Sequence, residues 1–359
     1  MNQSFAAPSG GIGGKKLNTQ ELLRTGFDLP LKGKNSVIVK GNGSELGNRK
    51  RVLGKANRKM ITDKRILHLI DIAKSKGEKE IEKEFWEVFH CQRKIVTTNG
   101  RQHGCYCGRR VCSVCNNIRE FILRSKFEPI FRTWKDPYYL VLTTKSVPKA
   151  KLKSRIDAMY KAFHRINQKY QKRRYRGDTI NFIGVKTLEC EFSPNWLWYN
   201  PHFNILVPNK EVAELLLMEW MKLWGPKYVN RKGQYCEAVR NREKILLEVI
   251  KYCTKVFTDP DKDKKFTTIK GHKIYVKALY NIYVAMRGHR IFERFGFNLP
   301  ENTPKREPKE TEVNYSIKWK YSLKLMDWVG EDAAGLLTNY VPDERLMDIL
   351  NNRMDVLLE

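Results

Sequence analysis

Between residues 138 and 257 the chain alternates short runs typical of β-strands with longer runs typical of amphipathic helices. The strand-like runs are rich in β-branched and aromatic residues, and they predict strands at 138–144, 180–192, 201–207 and 235–239. Apolar residues at helical spacing predict helices at 152–170, 212–224 and 242–257, with a further helical region at 275–295. The order β-α-β-β-α-β-α favours an α+β domain, in which a sheet containing antiparallel strands carries packed helices.

The flanking segments differ in composition from this central domain, which we assign to residues 131–298. Residues 1–60 are rich in Gly, Lys, Asn and Ser and have poor apolar periodicity, which predicts a basic, disordered arm. Residues 61–130 predict a helical segment that also holds a cluster of cysteines. Residues 299–315 are predicted to form a linker, and residues 316–359 a C-terminal helical tail whose end is acidic.

The charge balance indicates the kind of partner. The chain has 68 Lys and Arg residues against 39 Asp and Glu residues, a formal net charge of +29. So many positive side chains repel one another unless an anion binds to them, so nucleic acid is the expected partner. The alternative is a basic protein whose lysines are solvated and bind no nucleic acid. No apolar run approaches the length of about 18 residues that a transmembrane helix needs. We therefore expect no membrane contact and, without a secretory signal, a cytoplasmic protein.

Five of the eight cysteines lie within residues 90–119. Cys107, Cys112 and Cys115 place three thiols within nine residues, and tetrahedral zinc needs four such ligands. The candidates for the fourth ligand are Cys91, Cys105, His103 and His90. We favour Cys91, because it would tie the preceding helix to this zinc knuckle, whose role we expect to be structural. The knuckle also carries arginines that could contact a DNA backbone: Arg109, Arg110, Arg119 and Arg124.

Residues 201–207 predict a buried strand that aims one histidine outward. Because alternate residues of a strand share a face, His202 and Asn204 point the same way. Glu189 lies among apolar residues of the preceding strand, and if the two strands pair, its carboxylate stands beside His202. A lone strand histidine is more often structural. An imidazole, a carboxylate and an amide oxygen together suit Mg²⁺ or Mn²⁺ with open positions for phosphate oxygens.

The predicted helix at 242–257 carries Glu248, Tyr252 and Lys255 in one row, at spacings of four and three residues. One interpretation is a surface row around an amphipathic tyrosine. The functional interpretation makes Tyr252 the nucleophile that attacks a metal-bound phosphate. Lys255 would lower the pKa of the phenol or neutralise phosphate charge, and Glu248 would act as a general base toward water.

Taken together, these residues resemble the replication initiator proteins of rolling-circle plasmids, which belong to the HUH endonuclease superfamily. The resemblance covers roughly residues 90–298 and rests on four motifs in the order of the family. They are the knuckle that ends at Cys115, the strand at 139–144, the strand around His202 and the helix around Tyr252. Residues 287–296 are also similar to a glycine-containing stretch that follows these motifs in the family. The family's metal-binding strand normally reads His-hydrophobe-His, and Asn204 stands at the second His.

The resemblance implies an HUH endonuclease-like fold and a cycle of nicking and joining. Tyr252 would cleave one strand of single-stranded or hairpin origin DNA and keep the 5′ phosphate, while the free 3′-OH primes synthesis. Glu248 would activate water at termination, so that the enzyme is released. Glu189 matches the acidic residue of the family's second strand. The acidic C-terminal end suits a protein partner, such as a host helicase or polymerase or a second copy of the chain.

Two alternatives stay open from the sequence. A relaxase or a single-strand transposase of the same superfamily would share the chemistry. A zinc-containing DNA-binding regulator without nuclease activity would account for the charge and the cysteines, but not for Glu189, His202 and Tyr252 together. If Tyr252 is not the nucleophile, the candidates are Tyr160 and Tyr235.

Overall fold

The computed structural model describes residues 49–98, 101–177, 180–241, 249, 274–299, 316–331, 335–352 and 354–355. Within these residues the helices are α1 (Arg49–Ser75), α2 (Lys79–His90), α3 (Ser113–Arg132), α4 (Lys149–Tyr175), α5 (Lys210–Trp224), α6 (Val276–Met286) and α7 (Glu344–Asn352). The first strands are β1 (Lys94–Thr98), β2 (Arg101–Gly104), β3 (Tyr138–Thr143), β4 (Val147–Pro148), β5 (Gly184–Ser193) and β6 (Trp198–Val207). The others are β7 (Tyr235–Ala238), β8 (Ile274–Tyr275), β9 (Phe292–Phe295), β10 (Ser316–Ser322), β11 (Asp327–Gly330) and β12 (Met354–Asp355). The predicted α+β class is confirmed.

The largest sheet has the strand order β7-β3-β6-β5-β9, and β4 pairs with the beginning of β6. All of these pairings are antiparallel, as the sequence analysis expected for this region. The long strands β5 and β6 form a hairpin whose register sets Glu189 opposite His202. This register positions two candidate metal ligands on adjacent strands.

Helices cover both faces of this sheet. On one face, α4 and α5 pack against the side chains of Phe203 and Ile205 in β6, in a core that includes Phe163 and Trp220. On the other face, α3 contributes aromatic residues to a smaller cluster around Leu206. The remaining buried members of that cluster are Phe127, Phe131, Trp134, Val185 and Val249. Leu206 shares its face of β6 with His202 and Asn204, because side chains alternate along a strand.

The second sheet joins distant parts of the chain. Its order is β11-β10-β1-β2, and Ile95 of β1 pairs with Trp319 of β10. Beside it, α1 packs on α2 and holds a buried ion pair in which the Lys59 ammonium lies 2.6 Å from the Asp63 carboxylate. Arg93, at the entrance to β1, adds a second contact to Asp63 at 3.3 Å. The N-terminal helices and the C-terminal strands therefore form one packed unit.

Three expectations from the sequence were wrong. Residues 49–60, assigned to the disordered arm, belong to α1, where Ala56 and Lys59 are fully buried. Residues 316–330 form strands, although a helical tail was expected; in 316–322 the apolar residues alternate with lysines, which is the period of a strand. Residues 292–295, expected to be helical, form β9 beyond Gly288, whose positive φ of 82° ends the helical stretch.

Several predicted segments lie outside the described residues: 1–48 of the arm, 300–315 of the linker, and the helix at 242–257 except for Val249. Among the residues that are described, no helix is long and apolar enough to cross a bilayer.

Candidate functional site

Four cysteines come together where α2 ends and α3 begins. Cys91 follows the last turn of α2, Cys112 caps the N-terminus of α3, and Cys115 lies in the first turn of α3. The Sγ atoms of Cys91 and Cys115, of Cys107 and Cys115, and of Cys91 and Cys112 are each 3.6 Å apart. Tetrahedral zinc with Zn–S bonds of about 2.3 Å requires sulfur separations of about 3.8 Å. The four cysteines could therefore hold a zinc ion.

Backbone N–H groups donate to two of the four cysteine sulfur atoms. The Cys115 N–H donates to the Cys112 sulfur, and the Cys107 N–H donates to the Cys91 sulfur, both at 3.5 Å. Hydrogen bonds from the neighbouring thiols also lower the pKa of Cys115. The positive end of the α3 dipole acts in the same direction. Cys105, one of the other candidates for fourth ligand, is exposed and is not part of the group.

The arginines of the knuckle have structural partners. Arg109 forms ion pairs with Glu84 at 3.2 Å and with Glu87 at 2.8 Å, both on α2. Arg119 donates to the carbonyl of Gly108 at 2.7 Å, inside the knuckle itself. Arg110 donates to the carbonyl of His289, and Arg124 pairs with Glu128 of its own helix. Arg109, Arg110 and Arg119 therefore help to hold the knuckle in place, whereas Arg124 pairs within its own helix. The contact of these arginines with a DNA backbone stays a prediction.

The second candidate site lies on the sheet, at the face of β6 that carries His202. The Glu189 carboxylate reaches across from β5, and its Oε2 atom lies 3.3 Å from His202 Nε2. Asn204 Nδ2 donates to the same oxygen at 3.0 Å. The structure thus brings Glu189, His202 and Asn204 together. His202 is 6% exposed, so the histidine that was expected to point outward is buried within the sheet layer.

Both ring nitrogens of His202 face oxygen atoms that accept hydrogen bonds. Nδ1 lies 3.0 Å from the carbonyl of Asn200, and Nε2 faces the Glu189 carboxylate. A neutral imidazole has one N–H, so it can satisfy only one of these acceptors. Burial opposes the charged ring, but the hydrogen bond and negative charge of Glu189 outweigh it, and the pKa of His202 is raised. The position between Nε2 and Glu189 therefore suits a proton, and it is also where a cation could be held.

Asn204 is oriented by a tyrosine from the neighbouring strand. The Tyr139 hydroxyl donates to Asn204 Oδ1 at 2.5 Å, which turns the amide nitrogen toward Glu189. In this orientation the Asn204 oxygen, the atom expected to bind a metal, is engaged by Tyr139. The imidazole of His202 and the carboxylate of Glu189 are therefore the two groups placed to hold a cation directly.

The spacing of the sequence gave no signal for Tyr139 or Asn200, because their roles depend on which strands pair and in which register. Tyr139 lies on β3 opposite Leu206 of β6. Asn200 precedes His202 on β6, and the side chain of Asn200 accepts a hydrogen bond from Thr143 Oγ1 at 2.7 Å. Asn200 shares the face of His202 because it lies two positions before it on the same strand, but its partners could not be known without the register.

The residues proposed for nucleophilic chemistry, Glu248, Tyr252 and Lys255, lie outside the described residues. Val249, within that predicted helix, is described as helical and is fully buried. It belongs to the cluster around Leu206, on the face of β6 that carries His202 and Asn204. The chain therefore reaches this face at Val249, three residues before Tyr252.

The two alternative tyrosines differ in position. Tyr160 stacks on His289 with ring centroids 4.5 Å apart and contacts Phe203, on the face of the sheet opposite His202. Tyr235 is exposed on β7 and contacts the ring of Tyr139, with centroids 5.8 Å apart. Tyr235 is therefore the alternative nucleophile on the correct face.

Comparison of the chain with models of protein families, with curated proteins and with solved structures finds no match. What the chain does is accordingly inferred from its own residues.

Proposed function

We propose that this chain is a metal-dependent endonuclease with an HUH endonuclease-like fold, which nicks one DNA strand through a phosphotyrosyl intermediate and initiates rolling-circle replication of a plasmid in the cytoplasm. The observation that carries the proposal is the meeting of Glu189 and His202 on adjacent strands. Their facing oxygen and nitrogen, 3.3 Å apart, offer a binding site to a cation.

The donor set fits a magnesium or manganese ion. A carboxylate oxygen and an imidazole nitrogen are ligands that Mn²⁺ accepts, and Mg²⁺ favours the carboxylate. The hydrogen bond between His202 Nδ1 and the Asn200 carbonyl is the outer contact that commonly orients a metal-binding histidine. When bound there, such an ion would act as a Lewis acid toward a phosphate oxygen. The three remaining polar groups, from Asn204, Tyr139 and Asn200, orient the ligands.

In the proposed reaction the Tyr252 phenolate oxygen forms a bond to the scissile phosphorus, and the bond from phosphorus to the 3′ oxygen breaks. The 5′ phosphate stays on the protein, and the departing 3′ oxygen gains a proton. Lys255 would stabilise the phenolate and the phosphate charge, and Glu248 would take a proton from water during later release. The burial of Val249 on the His202 face supports this arrangement.

The charge of the chain supports DNA as the substrate. A net charge of +29 favours binding to a polyphosphate through the release of counterions. The four-cysteine group, which joins α2 to α3, would keep this basic protein folded around the site without taking part in the reaction.

The test is to incubate the protein with a single-stranded origin hairpin and Mn²⁺, and to look for a protein–DNA adduct that survives a denaturing gel. The adduct should require Mn²⁺ or Mg²⁺ and should be lost in Tyr252→Phe, while DNA affinity stays nearly unchanged. Tyr235→Phe is the matched control and should form the adduct normally. Glu248→Ala should still nick but release fewer finished circles. An adduct that persists in Tyr252→Phe and disappears in Tyr235→Phe would move the nucleophile to β7.

A second function is favoured by two observations. The four cysteines and the charge would also suit a zinc-containing DNA-binding regulator without nuclease activity. Reversible DNA binding without any adduct, in the presence of Mn²⁺, would favour this regulator. A relaxase or a single-strand transposase would form the same adduct, and a plasmid replication assay would separate these from a replication initiator.

A further inference from the structure

Two large aromatic side chains are exposed at the tip of the hairpin between β5 and β6. Trp196 is 76% exposed and Trp198 is 39% exposed. The strands close with Ser193 opposite Trp198, and Leu197 between the two tryptophans adopts a positive φ of 53°. An exposed indole leaves a large apolar surface in water, so two at one turn mark a contact surface more often than a chance arrangement.

The hairpin tip lies in line with the candidate metal site. Trp198, Asn200 and His202 alternate along β6 and therefore share one face of the strand. Four residues of strand place Trp198 about 13 Å from His202. Exposure falls along this row, from the exposed Trp198 through the partly buried Asn200 to the buried His202. The row leads from solvent into the Glu189–His202 pair.

Positive charge lies beside the tip. Pro148 of β4 pairs with Trp198, and the next residue, Lys149, begins α4. Lys149 and Lys151 are exposed, and the first turn of α4 has no acidic residue. Lys145, which is exposed just before β4, donates its backbone N–H to the carbonyl of Tyr228. Tyr228 is 39% exposed, and the Arg155 guanidinium lies 5.3 Å from the centre of its ring. The pairing of Pro148 with Trp198 thus brings the lysine-rich start of α4 next to the hairpin tip.

We propose that the hairpin tip, defined by Trp196 and Trp198, is a stacking platform for unpaired bases of single-stranded DNA. The indole faces would stack on bases, and Lys149 and Lys151 would neutralise the phosphates between them. Paired bases in a duplex already stack on each other, so the platform selects melted DNA and leads it along β6 toward Glu189 and His202. This inference rests on the proposed function, because it assigns part of the substrate contact.

The test measures equilibrium binding of a labelled oligothymidine by fluorescence anisotropy, with no Mg²⁺ or Mn²⁺ added. Trp196→Ala should weaken binding about tenfold, and Trp196→Ala with Trp198→Ala up to about a hundredfold, the range for loss of base stacking. Because stacking releases no counterions, the dependence of affinity on salt should stay unchanged in both variants. Lys149→Ala should instead lower the magnitude of the salt slope by about 0.7, the value for one phosphate contact on a single strand.

Phe121→Ala, which removes an exposed ring on α3, is the matched control and should bind like the unaltered protein. An abasic strand should bind the unaltered protein and the double tryptophan variant equally. Circular dichroism of each variant verifies the fold. Equal affinity of the double variant and the unaltered protein for oligothymidine would overturn the inference. An equal loss of affinity for duplex DNA and for single-stranded DNA in the double variant would also overturn it.

The outcome is independent of the nicking assay. Tryptophan-dependent binding without a covalent adduct would keep the platform and remove the endonuclease. A normal adduct with unchanged binding in the tryptophan variants would keep the endonuclease and remove the platform.

Discussion

His202 Nε2 lies 3.3 Å from Glu189 Oε2, and the other nitrogen of the same ring lies 3.0 Å from the Asn200 carbonyl. The ring is therefore held between two acceptors and is satisfied only as an imidazolium or with a cation at Nε2. Binding of the proposed metal ion at this place would therefore release the proton.

The first prediction concerns the pH dependence of stability without added Mg²⁺ or Mn²⁺. Because the pKa of His202 is raised in the folded state, its contact with Glu189 stabilises the fold fully below the unfolded pKa of about 6.5. That stabilisation is lost as pH rises through the higher folded pKa. The difference in unfolding free energy between the unaltered protein and Glu189→Gln, measured by urea denaturation, should shrink over this interval. A difference that grows with pH would contradict the assigned protonation.

The second prediction concerns Tyr139, whose hydroxyl fixes the Asn204 amide beside Glu189. Tyr139→Phe keeps the ring and removes the hydroxyl that donates to Asn204, so the strand pairing of β3 should be retained. Affinity for Mn²⁺, measured by calorimetry, should fall about tenfold, as for other groups that orient metal ligands. Tyr138→Phe, on the neighbouring position of β3, is the control. Equal Mn²⁺ affinity in both variants would show that Asn204 needs no such support.

The third prediction concerns the four-cysteine group. Cys115→Ser should reduce bound zinc from about one ion per chain to near zero and destabilise the fold by more than about 4 kcal/mol, because a buried metal site joins α2 to α3. Cys105→Ser changes an exposed thiol outside the group and should retain zinc and stability. Metal analysis and thermal unfolding measure both. A fully folded, zinc-free protein would reduce the group to ordinary buried thiols.

The fourth prediction concerns the buried ion pair of α1. Burial raises the pKa of Asp63 even though Lys59 and Arg93 lie beside it. Lys59→Met removes one of these cations and should cost about 3–5 kcal/mol in unfolding free energy, since a buried carboxylate loses its closest partner. Lys153→Met removes an exposed partner from Asp157 and should cost less than about 1 kcal/mol. Comparable losses in the two variants would mean that burial does not strengthen the Lys59 contact.

The sequence predicted the parts of the molecule in which local pattern and packing agree. The β-branched and aromatic residues of β3, β5 and β6 predict these strands. The pairing of β5 with β6 places Glu189 beside His202, as expected. Cys91, favoured among four candidates because it would tie the preceding helix to the knuckle, does lie with the other three cysteines.

Elements that depend on distant partners were missed. The first turns of α1 have a lysine-rich sequence, and Lys59 is buried only because Asp63 and the Phe89 carbonyl receive its ammonium group. Strand β10 carries the alternating pattern of Trp319 and Tyr321, but its neighbour β1 lies far away in the chain. The contact from Tyr139 to Asn204 requires knowledge of strand register, which no local spacing provides.

The pairing of Ile95 with Trp319 has a consequence for synthesis on the ribosome. These residues lie more than 200 positions apart, and the Trp328 indole also donates to the Gln92 carbonyl at 2.7 Å. Strand β1 therefore emerges long before its neighbour β10 exists, and its open edge stays unpaired until residues 316–322 are synthesised. A nascent chain stalled before residue 316 would present this edge to other molecules, so the N-terminal helices and β1 can complete their sheet only after β10 has been made.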